Sequence, residues 1–204
     1  VFFFFLFFFF FSSRRRHTRL LTVTGSADVC SSDLPMTELL PEDRHELQRV
    51  FQRVEDICNA AHENDVPVFI DAEESWIQNT IDRITMTMMS KFNREKAIVY
   101  NTLQMYRHDR LEYLSESINR ARMDGFHLGV KLVRGAYMEK ERKRAEDLGY
   151  EDPIQPDKEA SDKDYDAGLK LLVENLDICE VCAGTHNEES ALYLTKLIEE
   201  HGLD

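Results

Sequence analysis

Cysteine is scarce in this 204-residue sequence, which has four. Cys30 lies in an unusual N-terminal stretch and Cys58 in a helical pattern, so only Cys179 and Cys182 form a C-x-x-C. No second pair accompanies them. The run ICEVCA reads as a strand, in which residues three apart point to opposite faces. Buried thiols are therefore expected, with no metal site, in a reduced, cytoplasmic compartment. Positive charge is also in short supply. Lys and Arg number 25 against 38 Asp and Glu, and the net charge of -13 argues against a nucleic-acid partner. Among the eight glycines no G-x-G-x-x-G follows a strand-like run, which leaves a dinucleotide-binding fold without support. Long apolar runs are missing too. The one candidate, Val1 to Phe11, has eleven residues, whereas a membrane-spanning helix needs about 20. Arg14, Arg15 and Arg16 follow that run instead of preceding it, the reverse of a signal peptide.

The first 34 residues stand apart from the rest. Nine of the first eleven are phenylalanine, the residue a poly-T tract encodes. The continuation SSRRRHTRLLTVTGSADVCSSDL resembles translated sequencing adapter. Residues 1–34 are read as a non-native leader without structure, and residues 35–204 as one domain.

Within that domain two periods alternate. Leu47, Val50, Phe51, Val54, Ile57, Cys58 and Ala61 fall at helical spacing between Pro41 and Glu63. Val66 to Asp71 is strand-like, and Ser75 with Gln78 suggests a capping box before a stripe at Ile77, Ile81, Ile84 and Met88. Ala97 to Gln104 is the next strand, followed by a helix on Leu111, Leu114, Ile118 and Ala121 that Gly125 should end. A later helix carries Tyr165, Leu169, Leu172 and Leu176 behind a cap expected at Ser161 and Asp164. Ile178 to Ala183 is the last strand, and Asn187 can cap the last helix.

The most informative stretch is GVKLVRGAYMEKERKRAEDLGYEDP, residues 129 to 153. Val130 to Val133 alternate as a strand does, so Lys131 and Val133 share one face while Val130 and Leu132 share the other. A lysine on an apolar strand needs a partner for its charge. Gly135 permits a sharp turn or a close approach, Tyr137 sits at the mouth of that turn, and Glu139 opens a charged helix, closed by Gly149. Strands and helices thus alternate four times, which predicts an α/β fold with a parallel sheet, open or closed into a barrel. Polar residues gather where the strands end, near 71, 104, 134 and 183. In a barrel that end is the active-site face.

The segments DAEES, NTLQMY, VKLVRGAY with its charged helix, LGYEDPIQPDK and THN occur in this order over residues 64–204. Together they resemble the flavoprotein proline dehydrogenase family. The resemblance implies a partial (βα)8 TIM-type barrel of about four βα units. It also implies FAD as cofactor and oxidation of L-proline to Δ1-pyrroline-5-carboxylate by hydride transfer to flavin N5. By the same resemblance Asp71 matches an active-site aspartate, and Lys131 stands where the family often has an arginine beside N5. Ala72, Gln104, Arg134, Gly135, Ala136, Thr185 and His186 match positions that hold FAD, and Tyr137 matches a residue lining the proline pocket. Met138 replaces an aromatic found in some relatives. A quinone electron acceptor, and with it peripheral contact at the inner membrane, is implied in the same way.

Two parts of the family's substrate site have no counterpart here, a lysine from an earlier strand and a helix with paired arginines. A closed barrel takes about 250 residues. The chain is therefore expected to be a fragment with little or no activity of its own. Two alternatives remain open: a Schiff-base aldolase using a strand lysine, and a truncated barrel without catalytic function.

Overall fold

A computed structural model describes residues 4–6 and 41–203 of the chain. The first element is a short strand, β1 (Phe4–Leu6), followed by helix α1 (Pro41–Glu63). Then come β2 (Val68–Ile70), α2 (Ser75–Phe92), β3 (Val99–Gln104), α3 (Arg110–Asp124) and β4 (Leu128–Val133). The chain closes with α4 (Met138–Leu148), α5 (Lys158–Val173), β5 (Cys179–Ala183) and α6 (Glu188–Glu200).

The five strands form one sheet in chain order, each parallel to the next. A parallel neighbour demands a crossover, and helices supply every crossover from β2 to β5. This is the βα repeat that the alternating periods imply, with four parallel strands between residues 68 and 183. β1 adds a fifth, Phe4–Leu6 lying beside Val68–Ile70. It meets the backbone groups that an edge strand would otherwise leave unpaired. Phe4–Leu6 thus departs from the expectation that residues 1–34 are without structure, and the rest of that stretch lies outside the described residues.

The pleat separates two cores. Val68, Ile70, Val99, Leu103, Val130 and Leu132 point to the helix layer, where Ile81, Met88, Leu114, Tyr165 and Leu169 bury against them. Each fully buried side chain of this size contributes about 1.5–3 kcal/mol. The opposite face carries a smaller cluster of Phe69, Ala97, Tyr100 and Cys182. Cys179 and Cys182 therefore face opposite ways. Burial pushes the Cys179 and Cys58 thiols up to about 12.

Two polar devices hold the helix layer to the sheet. Asn93, wholly buried, accepts from the Ile98 and Val99 amides at 2.9 Å and donates to the Val99 and His127 carbonyls. It thereby ties the starts of β3 and β4. Asp82 receives Arg110 at 2.8 Å, Gln78 at 2.8 Å and Asn101 at 2.9 Å, linking α2, α3 and β3.

Most element ends fall where the sequence puts them. Gly125 and Gly149 close α3 and α4 in the left-handed region, and the Asn187 side chain accepts from Ser190 N at the start of α6. Two differ. Helix α5 starts at Lys158 because Asp157, just after Pro156, accepts from Ala160 N; the cap is not Ser161. Helix α2 has Glu74 as N-cap, so Ser75 and Gln78 do not form a capping box; Gln78 Oε1 instead accepts from Glu73 N at 2.9 Å.

Candidate active site

The inner face of the sheet presents Phe69, Tyr100, Thr102, Gln104, Lys131 and Cys182, and its polar members crowd toward the carboxyl ends of the strands. Register brings Thr102, Lys131 and Cys182 side by side on β3, β4 and β5. Asp71, the residue after β2, completes the group. Lys131 Nζ lies 2.8 Å from Asp71 Oδ1, and Thr102 Oγ1 donates to the same oxygen at 3.1 Å. Both charged side chains are 15 % exposed, which screens the pair far less than a surface one. The ammonium also lies 5.8 Å from the Phe69 ring centroid, within cation–π range. The two candidate catalytic residues, 60 positions apart, thus form one unit.

A second layer shapes the loops around this pair. Gln104, 3 % exposed, donates to the Glu73 carbonyl at 2.7 Å and accepts from Ala136 N at 3.2 Å. It ties the loop after β2 to the loop after β4. Tyr137 donates to Glu73 Oε2 at 2.8 Å, a second tie between the same loops. Burial raises the Glu73 carboxyl above its usual range, and Tyr137's hydrogen bond works against that shift. Burial and the Glu73 bond together push the Tyr137 phenol up. The Cys182 thiol is also raised by burial, with the Lys131 charge opposing.

Arg134 braces the other side. Its guanidinium pairs with Asp162, donates to Thr185 Oγ1 at 2.7 Å and to Ser190 Oγ at 2.9 Å, and stacks over Tyr165 with Cζ 4.4 Å from the ring centroid. Thr185 Oγ1 also accepts from Asn187 N at 3.0 Å. Gln104, Arg134 and Thr185 therefore commit these polar groups to the frame of the site. Ala72 lies half-buried in the loop after β2, while Gly135, Ala136 and His186 are exposed at its rim. Gly135 is packed so closely that a Cβ would sit 2.4 Å from the Tyr106 ring. Among the described residues no group of three or more His, Cys, Asp or Glu is placed to hold a metal, and no helix is long and apolar enough to cross a membrane.

Residues 12–204 match the family model for proline dehydrogenase. The chain belongs to the proline dehydrogenase family. Human "Proline dehydrogenase 1, mitochondrial" is 36% identical over 171 residues, covering 82% of this chain and 28% of the human protein. The "Hydroxyproline dehydrogenase" of Xenopus laevis is 39% identical over 167 residues, covering 80% of this chain and 36% of its own length. This family member thus spans about a third or less of those relatives. The crystal structure of proline utilization A from Bdellovibrio bacteriovorus, inactivated by N-propargylglycine, superposes with a TM-score of 0.73. It is 22% identical, and the match covers 78% of this chain and 17% of that one, which establishes the shared barrel segment of the fold.

Several residues of the site were not visible as candidates in the sequence. Thr102 could have been found, since strand alternation places it on the same face as Gln104. Glu73 stood within DAEES, but its bond to Tyr137 spans 64 residues, and no local pattern announces it.

Proposed function

We propose that this chain forms the flavin-facing part of a proline dehydrogenase. FAD would bind over the inner face of the sheet, and L-proline would be oxidised to Δ1-pyrroline-5-carboxylate. The observation that carries the reading is the Lys131–Asp71 pair at the strand ends of a βα sheet whose family is proline dehydrogenase. The residues present suit such a cofactor. A half-buried cation favours a ring system that gains negative charge, and the exposed Gly135 and Ala136 leave room for close approach.

When bound, FAD would supply the hydride acceptor. The chain's own residues would do the rest. Lys131 would hold positive charge against the ring, and Asp71 would orient that ammonium. Lys131 cannot offer the planar fork of an arginine, so it would act as a point charge. Ala72, Gly135, Ala136 and His186 would line the cofactor, with Gln104, Arg134 and Thr185 holding the loops that present them. Tyr137 would border the proline. A quinone acceptor at the membrane surface is part of the same proposal. A Schiff-base role for Lys131 has less support, because its amine is engaged by the Asp71 carboxylate.

FAD titration of the purified chain, followed by absorbance and flavin fluorescence, tests the binding half of the proposal. Saturable uptake is expected. Absence of uptake, both by the chain and by a longer protein carrying the complete reading frame, would remove the cofactor assignment.

A further inference from the structure

Four consecutive residues of the loop after β2 and the start of α2 meet one helix. Tyr137 reaches Glu73, Lys140 pairs with Glu74, Glu141 holds Ser75, and Trp76 lies against Lys140 and Arg144. Positions 137, 140, 141 and 144 recur at three- and four-residue steps, which is one face of α4 and its N-cap.

Glu141 differs from its neighbours in being wholly buried. Its Oε1 accepts from the Ser75 amide and its Oε2 from the Ser75 hydroxyl, both at 2.6 Å. A helix leaves its first amides without intrahelical partners and carries partial positive charge there. Helix α2 supplies no remedy of its own: Glu74 makes no side-chain cap bond, and the first turn holds no acidic residue. Glu141 brings both an acceptor and a negative charge from 66 residues away. The Lys140–Glu74 pair is a weaker tie, since Lys140 is 60% exposed.

We propose that Glu141 is a positioning residue for this site. By capping α2 from α4, it holds the loop bearing Asp71 and Glu73 against the loop bearing Tyr137. The functional part of this proposal rests on the reading of those loops as walls of one flavin and proline site. The mechanical part does not. Asp71 anchors the first end of its loop through Lys131 and Thr102. Ser75 anchors the far end through Glu141. Releasing the second anchor loosens the far end of the loop, which Gln104, Tyr137 and Gln78 still hold at Glu73, without touching the core beneath it.

The test compares Glu141→Gln, Glu141→Ala and Lys140→Ala in the full 204-residue chain. Glutamine keeps the size and one acceptor oxygen but removes the charge. Trp76 is the sole tryptophan and adjoins the cap, so its emission reports this junction without any ligand. In Glu141→Gln, amide hydrogen exchange over residues 72–78 should quicken about tenfold, the loss expected for a buried bond to a charged group. Exchange in β3 and α5 should be unchanged, Trp76 emission should shift, and FAD should bind about tenfold more weakly. Glu141→Ala should show larger changes; if it does not fold, Glu141→Gln decides. Lys140→Ala should leave exchange and FAD affinity near their starting values. Unchanged exchange and emission in Glu141→Gln would overturn the proposal. So would uniformly faster exchange across the chain, which marks a role in stability alone. If the unsubstituted chain takes up no FAD, the proposed cofactor falls, and exchange with emission still decides the role of Glu141.

Discussion

Lys131 Nζ and Asp71 Oδ1, 2.8 Å apart, join β4 to the end of β2 across the whole width of β3. The pair sits above Phe69 and beside Thr102, which donates to the same carboxylate oxygen. Asp71→Asn keeps the shape and removes the charge, leaving a half-buried ammonium without its counter-ion. We expect a stability loss of about 1–3 kcal/mol. Urea unfolding of the two proteins measures it, and equal midpoints would mean that the pair contributes nothing to the fold.

Glu73 should give the chain a pH dependence of definite sign. Burial raises its folded pKa above the ordinary 4.5, so the folded state holds that proton more tightly than the unfolded one. Its contribution is fully present below pH 4.5 and fades as the pH climbs through the raised folded value. Glu73→Gln should flatten this part of the profile of unfolding temperature against pH. A variant profile parallel to the wild type would show that Glu73 is not the group responsible.

The buried Arg110–Asp82 pair makes a sharper stability prediction. The side chains are 6% and 5% exposed, and Asp82 also receives Gln78 and Asn101. Arg110→Met strands a buried carboxylate and should cost about 3–5 kcal/mol. Adding Asp82→Asn should recover part of that loss, because the stranded charge disappears. Denaturant unfolding of the four proteins of this cycle gives the coupling, and strictly additive losses would contradict it.

Gly129 is required by what crosses it. Tyr100 reaches over β4 to donate to Glu180 Oε2 at 2.8 Å, while Glu180 Oε1 accepts from Ala97 N at 2.8 Å. A Cβ on Gly129 would lie 2.6 Å from the Val99 carbonyl oxygen and 2.8 Å from Tyr100 Cγ. Gly129→Ala should therefore destabilise the chain by about 1–3 kcal/mol, as overpacking does. Tyr100→Phe combined with Gly129→Ala should not relieve it, since the ring atoms and the backbone oxygen that the Cβ meets all remain. Thermal unfolding measures both variants, and a stable Gly129→Ala would refute the steric account.

The βα order was legible because each element writes its period into consecutive residues. Pro41 to Glu63 and the end of β3 at Gln104 fall where the apolar spacing puts them. The start of α5 was less legible, since Asp157 and Ser161 are both good caps and only the packed chain chooses between them. In the site, Asp71 and Lys131 could be singled out one by one, from strand ends and an awkward charge. Their pairing could not, because no local signal spans 60 residues. Gln104 and Arg134 were visible as polar groups at strand ends, yet the loop and helix contacts they make arise only in the folded sheet. Glu141 was hidden most completely. It is one acid within a run of alternating charges, and nothing in the run shows which one is buried.

On the proposed reading, Lys131 sets the charge facing a bound flavin. The most direct test of that role is stopped-flow reduction of FAD by L-proline under anaerobic conditions, comparing Lys131→Ala with wild type in the protein expressed from its complete reading frame. Loss of a preorganised charge should slow reduction on the order of 100-fold, while FAD remains bound at saturating cofactor. Reduction of the variant at the wild-type rate would contradict the account.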